Sequence, residues 1–412
     1  MSARIRLELS GMAHGGEALG RYEGKVYFVP FGIPGEAVEI EVTEDHGSYA
    51  RGRIRQILTP SPERVSPPCP HFGACGGCHL QHIAYEAQLR YKTEIVRDQL
   101  RRIGRIENPP VRPAVPSPDP YGYRNHLQFS AAPDGRLGFQ AMRSHQVVPI
   151  ARCWIAHPML QELYEALDIE GLPLRRLTLR CGVRTGDRMV IFETEGDEPP
   201  ALETDLRVSL VLLTREEKAI PLIGLDYLTE EVGGVRFRIS ASSFFQTHTV
   251  VAEALVRQVV EWADLHGTEA VLDAYCGVGL FTAHLAPRAR RVVGVEAHPA
   301  AAVDARHNLA AFPHVEIRSG TVEAVVPSLK EPFDVVVVDP PRAGCSREAL
   351  EALLARSPAA GSTSPAIQPP WPGTPVACWM PAINWSPSSL STCSLRPTTS
   401  RPWPSSSARD RP

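Results

Sequence analysis

The segment from residue 270 to residue 338 constrains the fold most strongly, because short apolar runs and helical stretches alternate along it. It ends in Val335–Val338, four valines in a row, which suits a strand of a parallel sheet that is covered on both faces. Strands that alternate with helices predict an α/β fold with a Rossmann-like sheet. The predicted elements are strands at residues 271–273 and 291–295 and helices at residues 281–285 and 300–309.

The rest of the chain divides by composition into three regions. Residues 1–58 carry short alternating apolar runs between Gly and Pro turns, which predicts a small β-barrel because closure removes exposed sheet edges. Residues 59–240 begin as a Pro-, Gly- and Cys-rich loop and continue with a helix at about residues 84–103 and mixed strands, a central α+β region. A further helix is predicted at about residues 250–265. The α/β domain is expected at residues 241–356, and the Pro- and Ser-rich residues 357–412 are predicted to be disordered.

Composition predicts no membrane span, and the overall charge of the chain is close to neutral. No run approaches the roughly 18 apolar residues of a membrane span, and the first residues lack a signal-peptide core, so we expect a cytoplasmic protein. The net charge of −3 does not indicate nucleic-acid binding. Residues 90–105 hold six basic and two acidic side chains, which is also the pattern of an ordinary solvated helix face.

A glycine-rich loop follows the first predicted strand of the α/β domain. Its sequence is Asp273-Ala-Tyr-Cys-Gly-Val-Gly279, and Glu296 ends the next strand. Such a loop lets the backbone approach a ligand at the carboxyl edge of a parallel sheet, and the acidic residue can accept hydrogen bonds from ribose hydroxyls. With Asp-Pro-Pro-Arg starting at Asp339, and without a full G-x-G-x-x-G, this order favours S-adenosylmethionine over a dinucleotide.

A cysteine cluster lies between the barrel and the central region. Cys69, Cys75 and Cys78 have the spacing C-x5-C-G-G-C, and Cys153 could be a fourth ligand. In a reducing compartment clustered cysteines indicate metal-binding or catalytic roles rather than disulfides. Spacing alone leaves open zinc, a [4Fe–4S] cluster or unrelated buried thiols.

Together these motifs resemble those of the TRAM-domain RNA uracil-5-methyltransferases, and they are most similar to the bacterial members that act on 23S ribosomal RNA. The resemblance covers roughly residues 5–356. The matching positions are residues 69–82, Tyr123-Arg124-Asn125, Ser144-His145, Ser243-Phe244-Phe245-Gln246, the Tyr275 loop and Asp339-Pro340-Pro341-Arg342.

The resemblance implies a fold, cofactors and site residues. It implies that the barrel is an RNA-binding TRAM domain and that residues 241–356 form a class I methyltransferase domain that lacks its last strands. It further implies S-adenosylmethionine and a [4Fe–4S] cluster as cofactors and a monomer that acts on RNA, with 23S ribosomal RNA preferred over transfer RNA. The implied cofactor- or base-contacting residues are Gln246, Tyr275, Leu280, Glu296 and Asp339, and the implied cluster ligands are Cys69, Cys75, Cys78 and Cys153.

The resemblance also implies a reaction. Uracil C5 is a poor nucleophile, so in this family a cysteine thiolate adds to C6 and raises the electron density at C5, which then attacks the sulfonium methyl group. A general base removes the C5 proton and the cysteine is eliminated, after the target base has left its stack. The family nucleophile lies in a Ser-Cys-(Asn/Asp)-Pro motif about 26 residues after the Asp-Pro-Pro-Arg aspartate, and the base is the Glu of a His-Val-Glu motif.

This chain departs from that pattern after about Ser357. The position 26 residues after Asp339 is Pro365 instead of cysteine, and Asp410 is the single acidic residue in the last 56 positions, 357–412. Cys345 lies only six residues after Asp339, at a position that the family does not use for the nucleophile. We therefore assign no catalytic nucleophile or base in this reading frame and predict no methyl transfer by the chain as written.

A single frameshift near residue 359 accounts for the departure. Reading the last base of each codon with the first two of the next permits Val-Tyr-Ile-Ser-Cys-Asp-Pro from Gly361 onward, with the Cys across Pro365 and Ala366. The same frame permits Tyr-His-Val-Glu-Thr-Val-Ala within residues 391–404. Both missing family motifs thus occur in one shifted frame at about the expected positions.

Two other functions remain open from the residues. A non-catalytic RNA-binding protein is what the C-terminal sequence as written would enforce. A radical S-adenosylmethionine enzyme with a TRAM module would need C-x3-C-x2-C, and the spacing C-x5-C-x2-C argues against it.

Overall fold

The computed structural model describes residues 4–169, 171–199 and 204–356. Its N-terminal region is a closed five-stranded barrel with strand order β1-β2-β3-β5-β4. The predicted barrel is confirmed. Its interior is filled by alternate apolar residues such as Leu9, Val29 and Ile40, all at most 2% exposed. The strands are β1 (Arg4–Met12), β2 (Ala18–Tyr22), β3 (Lys25–Val29), β4 (Ala37–Asp45) and β5 (Tyr49–Thr59).

A buried ion pair joins the barrel to the cysteine segment that follows it. Glu36 is 0% exposed, and its two carboxylate oxygens accept hydrogen bonds from Nε and Nη2 of Arg64 at 2.6 and 2.7 Å. Burial alone would raise the pKa of Glu36, but the hydrogen bonds from Arg64 and from the Ser61 and Ile33 amides hold that pKa below its usual value. The carboxylate is therefore fully satisfied, which fixes how the chain leaves the barrel. Helix α1 (Tyr85–Arg102) follows, close to the predicted span of 84–103.

The central region is built on one seven-stranded sheet with strand order β12-β11-β10-β9-β6-β7-β8 and a separate hairpin, β13–β14. Helix α2 packs on the sheet, while α3 follows the hairpin and begins at His248, whose ring accepts a hydrogen bond from the Val251 amide. The elements are β6 (His126–Ala131), β7 (Leu137–Gln140), β8 (Val147–Pro149), α2 (Pro158–Ala166), β9 (Leu174–Cys181), β10 (Arg188–Thr194), β11 (Ser209–Leu213), β12 (Ala219–Ile223), β13 (Tyr227–Val232), β14 (Val235–Ser240) and α3 (Thr249–Ala263).

The C-terminal region is a parallel sheet, as predicted, with four described strands in the order β17-β16-β15-β18. Alternate residues face two apolar clusters: Val335 and Val337 pack on the side of α3 and α4, whereas Val336 and Val338 pack on the side of α6 and α7. This double burial explains why the strand is apolar throughout. The elements are β15 (Ala270–Ala274), α4 (Leu280–Leu285), β16 (Arg291–Glu296), α5 (Pro299–Asn308), β17 (Val315–Ser319), α6 (Val322–Val325), β18 (Val335–Val338) and α7 (Arg347–Arg356).

Among the helices in the described ranges, none combines the length and the apolar character that crossing a bilayer requires.

Candidate cofactor site and cysteine pocket

Three acidic residues meet at the carboxyl edge of the parallel sheet. Asp273 lies near the end of β15, Glu296 ends β16, and Asp339 follows β18. Since β15 pairs in parallel with both β16 and β18, these positions share one edge, and the amide of Asp339 reaches the Ala274 carbonyl at 3.5 Å. This is the edge at which open α/β sheets bind ligands.

The glycine-rich loop is held at this edge by Glu296. Its Oε2 accepts a hydrogen bond from the Gly277 amide at 2.8 Å, and its Oε1 accepts one from the His298 amide at 2.6 Å. The loop uses left-handed backbone at Tyr275 (φ +68°), Gly277 (φ +56°) and Gly279 (φ +91°), and Gly279 caps α4. A β-branched or bulky residue would be strained at either glycine, so the loop needs both.

Burial raises the pKa of two of these carboxyl groups. Asp273 is fully buried; burial and the charges of Asp339 and Glu296 raise its pKa to about 7, although a hydrogen bond from Thr282 Oγ1 at 2.6 Å opposes the change. Its other oxygen, Oδ1, has no hydrogen-bond partner among the described residues. Burial also raises the pKa of Asp339 to about 6. The edge therefore carries carboxyl groups that a cationic ligand would ionise and stabilise.

Two further predicted site residues, Tyr275 in the glycine-rich loop and Leu280 directly after it, lie at the same edge. Tyr275 is half-buried, its side chain hydrogen-bonds with Cys345, and burial raises its pKa. Leu280 is the first residue of α4 and is 6% exposed. Burial raises the pKa of the Cys345 thiol, which lowers its thiolate fraction and fits the sequence interpretation that it is not a nucleophile.

The fifth predicted residue, Gln246, lies in the segment of residues 243–246 between β14 and α3. Helix α5 holds this segment, because Asp304 accepts hydrogen bonds from Ser243 Oγ and Ser240 Oγ, both at 2.7 Å. One turn later, Asn308 Nδ2 donates to the Val278 carbonyl in the glycine-rich loop at 3.0 Å. One helix thus positions both the loop and the segment that carries Gln246.

A buried arginine supports the same segment from beneath. Arg180 Nη1 donates to the carbonyls of Ser240, Ala241 and Ser243 at 3.0 to 3.2 Å. Burial lowers its pKa to about 10, partly offset by the charge of Asp304. The sequence interpretation missed Arg180 and Asp304, since a charged side chain gives no signal of burial in a single sequence.

The four predicted cysteines line one pocket of about 290 Å³ with Arg124 and Gln81. Burial raises the pKa of the Cys75, Cys78 and Cys153 thiols, and neighbouring cysteines add to the rise. In the described ranges no group of three His, Cys, Asp or Glu side chains has an arrangement that could hold a metal ion. The cysteines are thus brought to one pocket, but their arrangement does not by itself support the predicted iron–sulfur cluster.

The predicted positions of the nucleophile and the base, at Pro365 and within residues 391–404, lie outside the described residues.

Fold and site together define a methyltransferase with an N-terminal TRAM domain. The TRAM domain family matches residues 3–54, and a methyltransferase domain family matches residues 271–357. An uncharacterised RNA methyltransferase of Halalkalibacterium halodurans is 35% identical over 400 residues, covering 86% of each chain. Another, from Gloeobacter violaceus, is 36% identical over 392 residues, covering 85% of this chain and 84% of its own. The chain belongs to this family of RNA methyltransferases.

A solved structure matches most of the chain as well. The tRNA (uracil-54, C5)-methyltransferase of Pyrococcus abyssi, in complex with S-adenosyl-L-homocysteine, superposes with a TM-score of 0.65 and 27% identity. The match covers 85% of this chain and 88% of that one. The predicted combination of a TRAM barrel and a Rossmann-like methyltransferase domain is confirmed.

Proposed function

We propose that this protein is built to transfer the methyl group of S-adenosylmethionine to C5 of a uracil in RNA. The observation that supports this most is the 85% coverage of the chain by a uracil-C5 methyltransferase of the same fold. The RNA is 23S ribosomal RNA in the preferred form of the proposal, and transfer RNA is the alternative. The protein acts as a cytoplasmic monomer, with its TRAM barrel on the RNA.

The acidic edge of the parallel sheet supports S-adenosylmethionine as the cofactor. This cofactor carries a sulfonium and an ammonium charge, and Glu296 and Asp339 place two carboxyl groups at one edge. Glu296 accepts one amide hydrogen bond on each oxygen, which leaves a further lone pair on each for ribose hydroxyls. In the proposal Tyr275, Leu280 and Gln246 complete the contacts to the cofactor or the target base.

The cysteine pocket is proposed to hold a [4Fe–4S] cluster. Four free thiols line one cavity, which is the donor set that such clusters and structural zinc sites share. Cys69, Cys75, Cys78 and Cys153 would be the ligands, and the cluster would serve to hold the fold or position RNA. Brown colour and charge-transfer absorbance that a Cys75→Ser variant lacks would support it, whereas one zinc per chain would exclude it.

Catalysis in this proposal requires the shifted reading frame. In that frame the cysteine encoded across Pro365 and Ala366 adds to C6, and the glutamate of His-Val-Glu takes the C5 proton. As written, the chain has neither group at those positions. Independent sequencing of the gene from codon 340 onward decides which protein the cell makes.

The test compares the chain as written with a frame-restored chain on RNA that contains [5-³H]uracil. Methylation at C5 releases tritium to water and requires S-adenosylmethionine. We expect release by the restored chain on 23S ribosomal RNA fragments and none by the chain as written. Release by the chain as written contradicts the assigned nucleophile, and failure of the restored chain on both ribosomal and transfer RNA contradicts uracil C5 as the target.

A non-catalytic RNA-binding protein is the second candidate, and the C-terminal sequence as written favours it. Tight RNA binding by this chain, with no tritium release from either chain, would be its signature.

A further inference from the structure

A short strip of chain, residues 122–125, lies against the segment that carries the fourth cysteine of the pocket. The Gly122 amide donates to the Trp154 carbonyl at 3.1 Å, and the Arg124 amide donates to the Ile155 carbonyl at 2.7 Å. The His157 amide returns a hydrogen bond to the Arg124 carbonyl at 2.9 Å. These contacts fix the strip to the residues that directly follow Cys153, and Arg124 also lines the cysteine pocket.

The other side of the strip holds the residues around Gln246. The Asn125 amide donates to the Thr247 carbonyl at 3.0 Å. The Asn125 side-chain Nδ2 donates to the Gln246 carbonyl at 3.1 Å and to Thr249 Oγ1 at 3.2 Å. The neighbouring Tyr123 ring stacks on His248, with centroids 4.5 Å apart and planes 11° apart.

Burial makes the Asn125 hydrogen bonds costly to break. Asn125 is 6% exposed, so neither its amide nor the Gln246 carbonyl it binds can exchange this contact freely for water. Thr249 extends this hydrogen-bond network, because its hydroxyl donates to the buried Glu230 at 2.8 Å. A displacement of residues 246–249 must therefore break buried hydrogen bonds or move the strip.

We infer that Asn125 is a positioning residue that sets the backbone of Gln246, and that structural changes in the cysteine pocket reach the cofactor edge through the strip. The inference rests on the proposed function, in which Gln246 contacts the cofactor or the target base. In this inference Asn125 acts on the cofactor or the target base through Gln246, whose carbonyl it binds.

The first test measures binding of S-adenosyl-L-homocysteine to the full chain by calorimetry. Asn125→Ala should weaken binding about three- to tenfold, the range for loss of one or two hydrogen bonds. Thr194→Val is the matched control, because Thr194 is also buried and donates a hydrogen bond, to the Glu198 carbonyl at 3.0 Å, but does not line the cysteine pocket. Equal affinities for wild type and Asn125→Ala would overturn the inference, whereas no binding by either the chain as written or the frame-restored chain would instead overturn the proposed function.

The second test follows hydrogen exchange in peptides that cover residues 243–249. Cys153→Ser, which replaces one thiol of the cysteine pocket by a hydroxyl, should speed exchange there by about threefold or more, while barrel peptides from residues 4–59 stay unchanged. Iron and zinc content of the wild-type protein is measured in the same preparation. Unchanged exchange at residues 243–249, or a metal-free wild-type pocket, would overturn transmission through the strip.

Discussion

Glu296 combines two tasks in one side chain. Its carboxylate closes the glycine-rich loop through the Gly277 amide and starts α5 through the His298 amide. Hydrogen bonds to a charged acceptor contribute about 1.5–3 kcal/mol each, more than neutral ones. The loop and the proposed ribose site thus depend on the same two oxygens.

Glu296→Gln should therefore weaken binding of S-adenosyl-L-homocysteine by about tenfold to a hundredfold. The glutamine keeps one acceptor and turns an amide donor toward a backbone N–H. Calorimetric titration measures the change, and Glu316→Gln on the exposed side of β17 is the control, with an expected change of less than about threefold. A wild-type affinity in Glu296→Gln would remove Glu296 from the proposed site.

The raised pKa of Asp273 predicts that the stability of the protein depends on pH. Its folded-state pKa of about 7 lies above the usual value of 3.8, so the folded state binds more protons than the unfolded state between pH 4 and 7. Stability from this group is therefore lost progressively as the pH rises from 4 to 7, by a total on the order of 4 kcal/mol.

Asp273→Asn should flatten this dependence and keep the Thr282 hydrogen bond. Chemical unfolding of the cofactor-free protein at pH 5 and pH 8 measures the free energy of unfolding. Relative to wild type, the variant should be more stable at pH 8 than at pH 5. Asp205→Asn is the control for loss of one charge, since Asp205 is exposed. Parallel pH profiles of wild type and Asp273→Asn would contradict the assignment.

Residues at strand ends could be predicted from the sequence, but buried polar partners could not. Asp273, Glu296 and Asp339 follow directly from the strand pattern, and the structure puts them at one edge. Arg180 and Asp304 come together from 124 positions apart in the chain, and only the folded backbone shows that both are buried. Asn125 belonged to a matched motif, yet its contact with Gln246 required the three-dimensional arrangement.

The cysteine segment closes on the central sheet at one glycine. Gly76 donates to the Gln140 carbonyl at 2.9 Å. A Cβ on Gly76 would lie 2.8 Å from that oxygen and 3.0 Å from the Met142 amide nitrogen. Both neighbours are backbone atoms of the turn after β7, so neither can rotate away.

Gly76→Ala should destabilise the protein by about 1–3 kcal/mol, the usual cost of overpacking. Denaturant unfolding measures the loss. Gly77→Ala is the neighbouring control, because its Cβ would have a single contact within 4 Å, 3.4 Å from Cys75 Sγ. Equal stabilities for the two variants would show that the segment can shift to make room.

Local patterns predicted the elements well, whereas long-range pairing was not predictable. The α1, α3 and α5 helices begin and end within two residues of the sequence prediction, because apolar spacing and flanking turns determine them. The parallel pairing of β10 with β11 inside an otherwise antiparallel central sheet has no counterpart in local sequence. It depends on contacts between distant segments.

Across the whole molecule, the proposed binding and bond-forming groups fall on different stretches of chain. The proposed cofactor contacts lie between Gln246 and Asp339, whereas the family nucleophile and base fall beyond residue 357. We expect the chain as written to bind S-adenosyl-L-homocysteine within about threefold of the frame-restored chain. Calorimetry on both proteins tests this, and a loss greater than about tenfold would show that the C-terminal residues complete the cofactor site.

Helix α5 holds the backbone of residues 243–246 in place but leaves the side chain at position 244 exposed. Asp304 anchors Ser243, and Phe245 is buried, yet Phe244 between them is 69% exposed. Because its neighbours carry the attachment, the side chain at 244 can be exchanged while the backbone beneath it stays in place. For protein engineers this is a natural site for a saturation library: shape and polarity next to the proposed base contact can be varied while the scaffold tolerates the change.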